Sequence, residues 1–269
     1  HLPQRPEPPE YAPPPRLSRK CAGPAVNSND WRGETYAALQ LASTTSQWPS
    51  YATFADLQKR GLRKEAMVQL RPFADSLADQ ALAQRWAFVS WLCSEVLAER
   101  VVTQPLVPMP LRSAVVVPTL FEQRDADPGD PRATIWLVGR FTAEVYEAAG
   151  PGAPDPPGNL LREQLANSPD DVAVRQCLAR HLLGILEDDA HHLSESRYLG
   201  DVDLNERRLI EIRELLPDSD DPLRTAAERE GQLLYAWQEF CASAETDFNS
   251  WCVHHNVEPP AGNAYYYEN

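Results

Sequence analysis

A segment late in the chain carries the densest group of side chains with potential chemistry. On a helix, His181 and Asp188 are seven residues apart and share one face. Asp188 with His191, and Asp189 with His192, have the three-residue spacing that lets a carboxylate and an imidazole of one helix approach the same metal ion. We therefore name His181, Asp188, His191 and His192 as candidate metal ligands.

A structural role explains the same residues and is the interpretation that the sequence favours. Helical di-metal proteins use a carboxylate-x-x-His pattern on two helices, and this sequence supplies it on one segment only. His181 shares an apolar stripe with Leu178 and Ile185, as a hydrogen-bonded core histidine does. His191 and His192 fit the end of a helix, where cations suit the dipole. We expect no cofactor.

The five cysteines are odd in number, widely spaced and never form C-x-x-C. Cys177 precedes His181 by four residues and Cys252 precedes His254 by two, so either thiol has a histidine near it in sequence. Cysteine proteases, however, bring the histidine from a distant segment. Reduced thiols in the cytoplasm fit the pattern better than a disulfide framework, although a Cys241–Cys252 bridge stays open.

Charge and missing motifs exclude several common functions. The net charge is −14, from 39 acidic and 25 basic residues, which argues against nucleic acid or an anionic membrane as a partner. Residues 187–230 hold 14 of the acidic and 6 of the basic residues. The sequence contains no nucleotide-binding glycine motif, no H-E-x-x-H and no G-x-S-x-G. It also has no apolar run of about 18 residues, so we expect no membrane insertion.

Proline marks the organisation of the chain. Eight prolines lie in the first 24 positions, and Pro13, Pro14 and Pro15 are consecutive. Such a segment favours polyproline II and forms no core by itself. We interpret residues 1–30 as an extended tail, either a linker or a strap over the domain; a ligand for a proline-binding module is the alternative.

Proline clusters and cap signals divide the remainder. We expect an N-terminal helical portion over 31–104, a Pro-rich connector over 105–131, a C-terminal helical-hairpin portion over 132–255 and a tail over 256–269. Within the connector, the β-branched run 114–117 predicts a strand or an extended strap.

Local chemistry predicts the ends of several helices. Asp130-Pro131 and Asp221-Pro222 each combine a capping carboxylate with a proline in the first turn, and Gly150 is expected to end the helix begun at Pro131. Apolar residues at three- and four-residue intervals predict one long helix from Leu223 to Phe248. The aromatic-rich segment 77–100 is expected to lie in the core. We predict an all-α fold of stacked helical hairpins, or an irregular helical bundle with α-solenoid character.

A faint repeat suggests how the hairpins stack. Arg162-Glu163-Gln164-Leu165 followed by 168–171 is echoed 51 residues later by Arg213-Glu214-Leu215-Leu216 followed by 219–222. At these residues, within 158–247, the chain resembles tetratricopeptide-like α-solenoids. The resemblance implies stacked helices with a concave groove that binds a protein or peptide. The offset is longer than that family's repeat, and its Trp, Leu, Gly and Tyr signature is not reproduced.

The leading functional hypothesis is a non-enzymatic helical scaffold or adaptor that binds a protein or peptide. Trp237, on the last apolar stripe, and Tyr265, Tyr266 and Tyr267, in the C-terminal tail, are the candidate partner-binding residues. One alternative is a small metal-dependent enzyme that uses the cluster 181–192. Another is an immunity or antitoxin-like protein whose acidic face neutralises a basic toxin.

Overall fold

The computed structural model describes residues 31–98 and 104–260. These residues form helices joined by short turns, with no β-strand among them, so the predicted all-α fold is confirmed. Within the same residues, no helix combines the length and the hydropathy needed to cross a bilayer.

The α-helices follow one another in the order of the chain. They are α1 Trp31–Ser43, α2 Pro49–Lys59, α3 Arg63–Ala78, α4 Leu82–Trp91, α5 Met109–Leu111, α6 Val117–Ala126, α7 Arg132–Arg140, α8 Thr142–Ala149, α9 Pro156–Asn167, α10 Val172–Ala190, α11 Val202–Leu215, α12 Pro222–Ala242 and α13 Phe248–His254. A π-helical segment, Leu92–Leu97, extends α4, and a second one, Arg112–Val116, joins α5 to α6.

Aspartate caps set the starts of the helices in the second half. The side chains of Asp155, Asp171, Asp201, Asp221 and Asp247 each accept a hydrogen bond from a backbone N–H in the first turn of α9 to α13, respectively. A helix start leaves four N–H groups without intrahelical acceptors, and a carboxylate there also suits the dipole. The predicted cap at Asp221 is confirmed.

The run 114–117 is helical rather than a strand or an extended strap. It lies where α5, the second π segment and α6 form one continuous helical path, and Val115 and Val116 are buried. Pro118 has no N–H, and its ring would clash with the carbonyl four residues earlier in a regular helix. The Val117 N–H bonds to the Arg112 carbonyl, five residues back. We infer that this wider turn accommodates the proline and leaves the valines in the core.

Two predicted long helices are each divided in two. Phe141, with φ −128°, separates α7 from α8, and Gly150, with φ +79°, ends α8 instead of one helix from Pro131. The stripe from Leu223 to Phe248 is interrupted after α12, where Asp247 caps α13. Apolar periodicity continues across both breaks because each pair of helices faces the same core.

Three clusters of buried apolar side chains hold the helices together. The first is built from α1 to α8 and includes residues of the predicted connector, such as Leu111 and Leu120. The second lies among α7 and α9 to α12, and the third joins α12 and α13 to the 3₁₀ turn Leu193–Glu195. Leu160 packs against both the first and the second cluster. The described part of the aromatic-rich segment, residues 77–98, contributes to the first core, where Phe88 is fully buried.

Candidate functional site

His181, the first candidate metal ligand, is paired with a carboxylate. It lies in the middle of α10 with 6% of its surface exposed, and its Nε2 is 2.5 Å from Asp155 Oδ1. Asp155 precedes α9 in the left-handed region, with φ 46°. Its Oδ1 also accepts the Gly158 N–H at 3.1 Å. A Cβ on Gly158 would lie 2.0 Å from Asp155 Oδ2, so only glycine lets the carboxylate fold over the helix start.

An arginine extends this pair to a third helix. Arg162 Nη1 donates to Asp155 Oδ2 at 3.0 Å, while its Nε and Nη2 donate to the two oxygens of Glu211 at 2.7 and 2.9 Å. Burial raises the pKa of Asp155, but its hydrogen bonds with His181 and Arg162 outweigh burial and hold that pKa below its usual range. His181, Asp155, Arg162 and Glu211 therefore cross-link α9, α10 and α11.

The other three candidate ligands lie at the exposed C-terminal end of α10. Asp188 and His191 are exposed, and His192 Nδ1 is 3.1 Å from Glu195 Oε2. The rings of His191 and His192 are 5.0 Å apart and nearly perpendicular. His181 is about 10 Å from Asp188 along the helix, given a rise of about 1.5 Å per residue. Among the residues described, no three His, Cys, Asp or Glu side chains are grouped to hold a metal ion.

Asp189 has structural partners that the sequence analysis missed. Its Oδ2 accepts a hydrogen bond from Asn205 Nδ2 at 2.9 Å and lies 3.5 Å from Arg208 Nη1. Asn205 is fully buried and also bonds to the Tyr198 hydroxyl. Desolvation first, and then the charge of Asp189, raises the pKa of Tyr198 to about 12. This polar network fixes the turn between α10 and α11.

The cysteine candidates are placed as structural thiols. Cys93, Cys241 and Cys252 are free, so Cys241 and Cys252 form no bridge. Burial raises the pKa of Cys93 to about 12, and burial with the charge of Asp247 raises that of Cys252. The thiolate is the nucleophilic form of cysteine, so these two sites disfavour it. His254, the sequence neighbour of Cys252, lies 3.2 Å from Glu245.

The candidate partner-binding residues divide between the core and the tail. Trp237 is partly buried, and its ring lies 5.3 Å from Phe240 and 5.5 Å from Phe248 in the third core. Tyr265, Tyr266 and Tyr267 lie outside the described residues. Trp237 therefore stabilises the contact between α12 and α13.

A groove in the N-terminal half has features of a binding site that the sequence analysis did not identify. It encloses about 260 Å³ where the start of α2 meets the end of α3 and the start of α4. We call it the Trp48 groove. Its lining residues are Trp48, Phe73, Ser76, Leu77, Gln80 and Gln84.

The aromatic walls of the Trp48 groove are held in fixed orientations by the core. Trp48 packs edge-on against Phe88 at 5.1 Å, and Phe73 packs edge-on against the same ring at 5.3 Å. Phe88 is fully buried and Leu77 is 5% exposed, so the floor is rigid and apolar. Gln80 and Gln84 are exposed and place carboxamides around the opening. The groove thus combines apolar walls with polar groups at its edge.

The Trp48 indole nitrogen is a buried donor with no hydrogen-bond acceptor. Leaving such a group unpaired costs about 1–3 kcal/mol. The nitrogen is buried, so the part of Trp48 that borders the groove is the ring and not the N–H group. Tryptophan is also the residue type most enriched among the energetic centres of protein interfaces.

A second cavity of about 350 Å³ lies among α6, α7 and α9. Two of its lining residues, Thr134 and Gln164, are buried, and Thr134 Oγ1 donates to Gln164 Oε1 at 3.0 Å. Gln164 Nε2 donates to the Pro128 carbonyl at 2.9 Å. These polar groups satisfy one another and hold the loop before α7 against α9. We therefore assign the second cavity a structural role.

Comparison with known proteins gives no independent assignment, because no family model, no curated protein and no solved structure matches this chain.

Proposed function

We propose that this chain is a non-enzymatic helical scaffold that binds an extended peptide segment of a partner protein in the Trp48 groove. The observation that carries the proposal is the position of Trp48. Its partly buried ring forms an aromatic wall of the groove and packs against the buried Phe88 ring. We assign the protein to the cytoplasm, which the free cysteines support.

The size and chemistry of the groove suit one or two apolar side chains of a peptide. An extended peptide offers a backbone carbonyl about every 3.3 Å, so an acceptor for the exposed Gln84 carboxamide accompanies any anchored side chain. Gln80 and Gln84 carry both donors and acceptors, which suits them to pair with the peptide backbone. The rings of Trp48 and Phe73 are already fixed by Phe88, so little side-chain entropy is lost on binding.

The resemblance to stacked-helix scaffolds supports the same class of ligand. Such proteins bind peptides in a groove between packed helices. We propose that the helices of this chain stack in the same α-solenoid manner. Two polar side chains of the cluster, His181 and Asp189, form hydrogen bonds to residues of other helices or their caps, and His192 contacts Glu195 in the next turn. This engagement favours the scaffold over a metal-dependent enzyme.

Selection of peptides from a random display library tests the proposal. We expect the full chain to enrich peptides with a shared apolar or proline-rich motif. Isothermal titration calorimetry of the synthesised peptides then compares the wild type with Trp48→Phe, which reduces the apolar area of the groove wall but keeps an aromatic ring. The expected loss of affinity is about tenfold, which corresponds to about 1.4 kcal/mol.

A matched control uses another tryptophan of the same half. Trp136→Phe changes a partly buried ring that packs against Trp86 and does not line the Trp48 groove. Its affinity for the selected peptides is expected to equal that of the wild type. Failure to enrich any motif, or equal affinities for the wild type and Trp48→Phe, would overturn the proposal.

A further inference from the structure

We propose that the Trp48 groove is occupied by the chain's own Pro-rich segment, residues 11–20, which acts as an autoinhibitory strap that a partner peptide displaces. This inference rests on the proposed function of the groove and adds its regulation. Three observations carry it: the chemistry of the groove, the reach of the tail and the charges at both ends of the contact.

The groove has the chemistry that proteins use to bind polyproline II segments. Known modules of this kind dock proline rings on grooves lined by aromatic side chains. A polyproline II helix has no internal hydrogen bonds, so all its carbonyls are available as acceptors. Trp48 and Phe73 supply the aromatic walls, and the exposed Gln84 carboxamide supplies a donor at the edge of the groove. Pro13, Pro14 and Pro15 supply the rigid proline ligand.

The tail is long enough to reach the groove from the start of α1. Fifteen residues, 16–30, separate Pro15 from Trp31. At about 3.1 Å per residue in polyproline II they span roughly 45 Å. A domain of this size has a radius of gyration of about 17 Å, so the span is comparable with its whole diameter. The span also exceeds the length of α1, which is about 20 Å for its 13 residues.

The charges on the two surfaces are complementary. Residues 11–20 contain Arg16, Arg19 and Lys20 and no acidic residue, in a chain whose net charge is −14. Asp75 and Asp79 lie next to Ser76 and Gln80 at the end of α3, and both are exposed. They are four residues apart and so share a face. Within the described part of the chain, no ion pair engages either carboxylate.

Tethering makes a weak contact sufficient. A flexible connection of this length gives an effective concentration in the millimolar range, about 1 mM. A segment whose intrinsic dissociation constant is about 0.1 mM then occupies the groove in most molecules. It raises the apparent dissociation constant of a competing peptide about tenfold. A partner peptide must therefore exceed the affinity of the strap to bind.

The test compares three full-length chains. In the first, Pro13, Pro14 and Pro15 are replaced by alanine. In the second, a matched control, three other prolines of the tail, Pro3, Pro6 and Pro8, are replaced instead. The third is the wild type. The probe is a synthetic peptide with the sequence of residues 11–20, and the readout is the ¹H–¹⁵N indole signal of Trp48, assigned with Trp48→Phe.

We expect the peptide to bind the triple variant at 13–15 about tenfold more tightly than the control or the wild type. In the free proteins, the Trp48 signal of that variant should differ from the signal shared by the other two. Replacing Asp75 and Asp79 by asparagine should weaken binding of the peptide to the variant. Raising the salt concentration should weaken it too, because exposed charges are screened.

Two outcomes overturn the strap and leave the peptide-binding function standing. One is equal affinity in all three chains, with the Trp48 signal moving on titration. The other is that display-selected peptides bind at Trp48 while the 11–20 peptide does not. If neither kind of peptide moves the Trp48 signal, both the strap and the proposed function are wrong.

Discussion

The Nε2 atom of His181 lies 2.5 Å from Oδ1 of Asp155, and this contact joins the middle of α10 to the first turn of α9. The two residues are 26 positions apart. Asp155 also bonds to Arg162, which bonds to Glu211 on α11, so Asp155 and Arg162 together join three helices. The residue with the strongest chemical signal in the sequence thus works mainly as a structural cross-link.

Removing His181 should destabilise the fold. In His181→Ala, the mostly buried Asp155 carboxylate loses one of its partners, and we expect a loss of about 2–3 kcal/mol in the free energy of unfolding. Urea unfolding followed by circular dichroism measures this change. His192→Ala serves as the control, because the ion pair of His192 with Glu195 is more exposed and should contribute less than about 1 kcal/mol. Equal losses in the two variants would show that the Asp155 contact is not the cause.

Acid should destabilise the protein in part through Glu228. Hydrogen bonds from Arg213 and Arg224 lower the pKa of Glu228 from 4.5 to about 2. A carboxyl group with a lowered folded-state pKa stabilises the fold above its unfolded pKa, and this contribution is lost as the pH falls from about 4.5 toward 2. We expect Glu228→Gln to be less stable than the wild type at pH 7, with the difference shrinking in that window. Melting temperatures between pH 7 and pH 2.5 measure it, and a constant difference contradicts the assignment.

Glu230 should behave in the opposite sense. Burial, and then the neighbouring charge of Glu187, raise its pKa above the usual value. Ionisation of Glu230 therefore opposes folding, so its replacement by glutamine should raise the melting temperature at pH 7. The gain should disappear as the pH falls below the unfolded pKa, because the wild-type group is then neutral in both states. Glu239→Gln, an exposed change on the same helix, should leave the melting temperature unchanged.

Gly200 should tolerate no side chain. A Cβ there would lie 2.3 Å from Asp189 Oδ2 and 2.5 Å from Asn205 Nδ2, two atoms that bond to each other. We expect Gly200→Ala to destabilise the fold by about 1–3 kcal/mol in chemical unfolding. Gly139→Ala is the matched control, since nothing lies within 4 Å of its added Cβ and the position is helical. That variant should be neutral or more stable by about 0.5–1 kcal/mol.

The start of α12 was predictable because its chemistry is local. Asp221 lies next to the backbone N–H groups that it caps, so the sequence alone indicates it. Breaks between helices that face one core were not predictable in the same way. The apolar spacing from Leu223 to Phe248 continues past the end of α12, and the β-branched run before Pro118 is accommodated by a π turn that propensity does not suggest.

Side-chain partners far apart in sequence were beyond the reach of the same reasoning. The apolar stripe of α10 indicates that His181 is buried, yet nothing local points to Asp155 as its partner. The Trp48 groove was missed because Trp48, Phe73 and Gln84 come from three helical segments. Aromatic residues in helical patterns usually lie in the core, and only the assembled structure shows which ring borders an opening.

Binding of a peptide at Trp48 is the central claim, and NMR titration tests it most directly. The chain contains seven tryptophans, so the indole region should hold seven signals, one of which Trp48→Phe removes. On titration of the full chain with a display-selected peptide, we predict a saturable shift of the Trp48 signal that exceeds the shifts of the other six. The claim is contradicted if the peptide binds but the chemical shift of the Trp48 signal does not change and another tryptophan signal shifts instead.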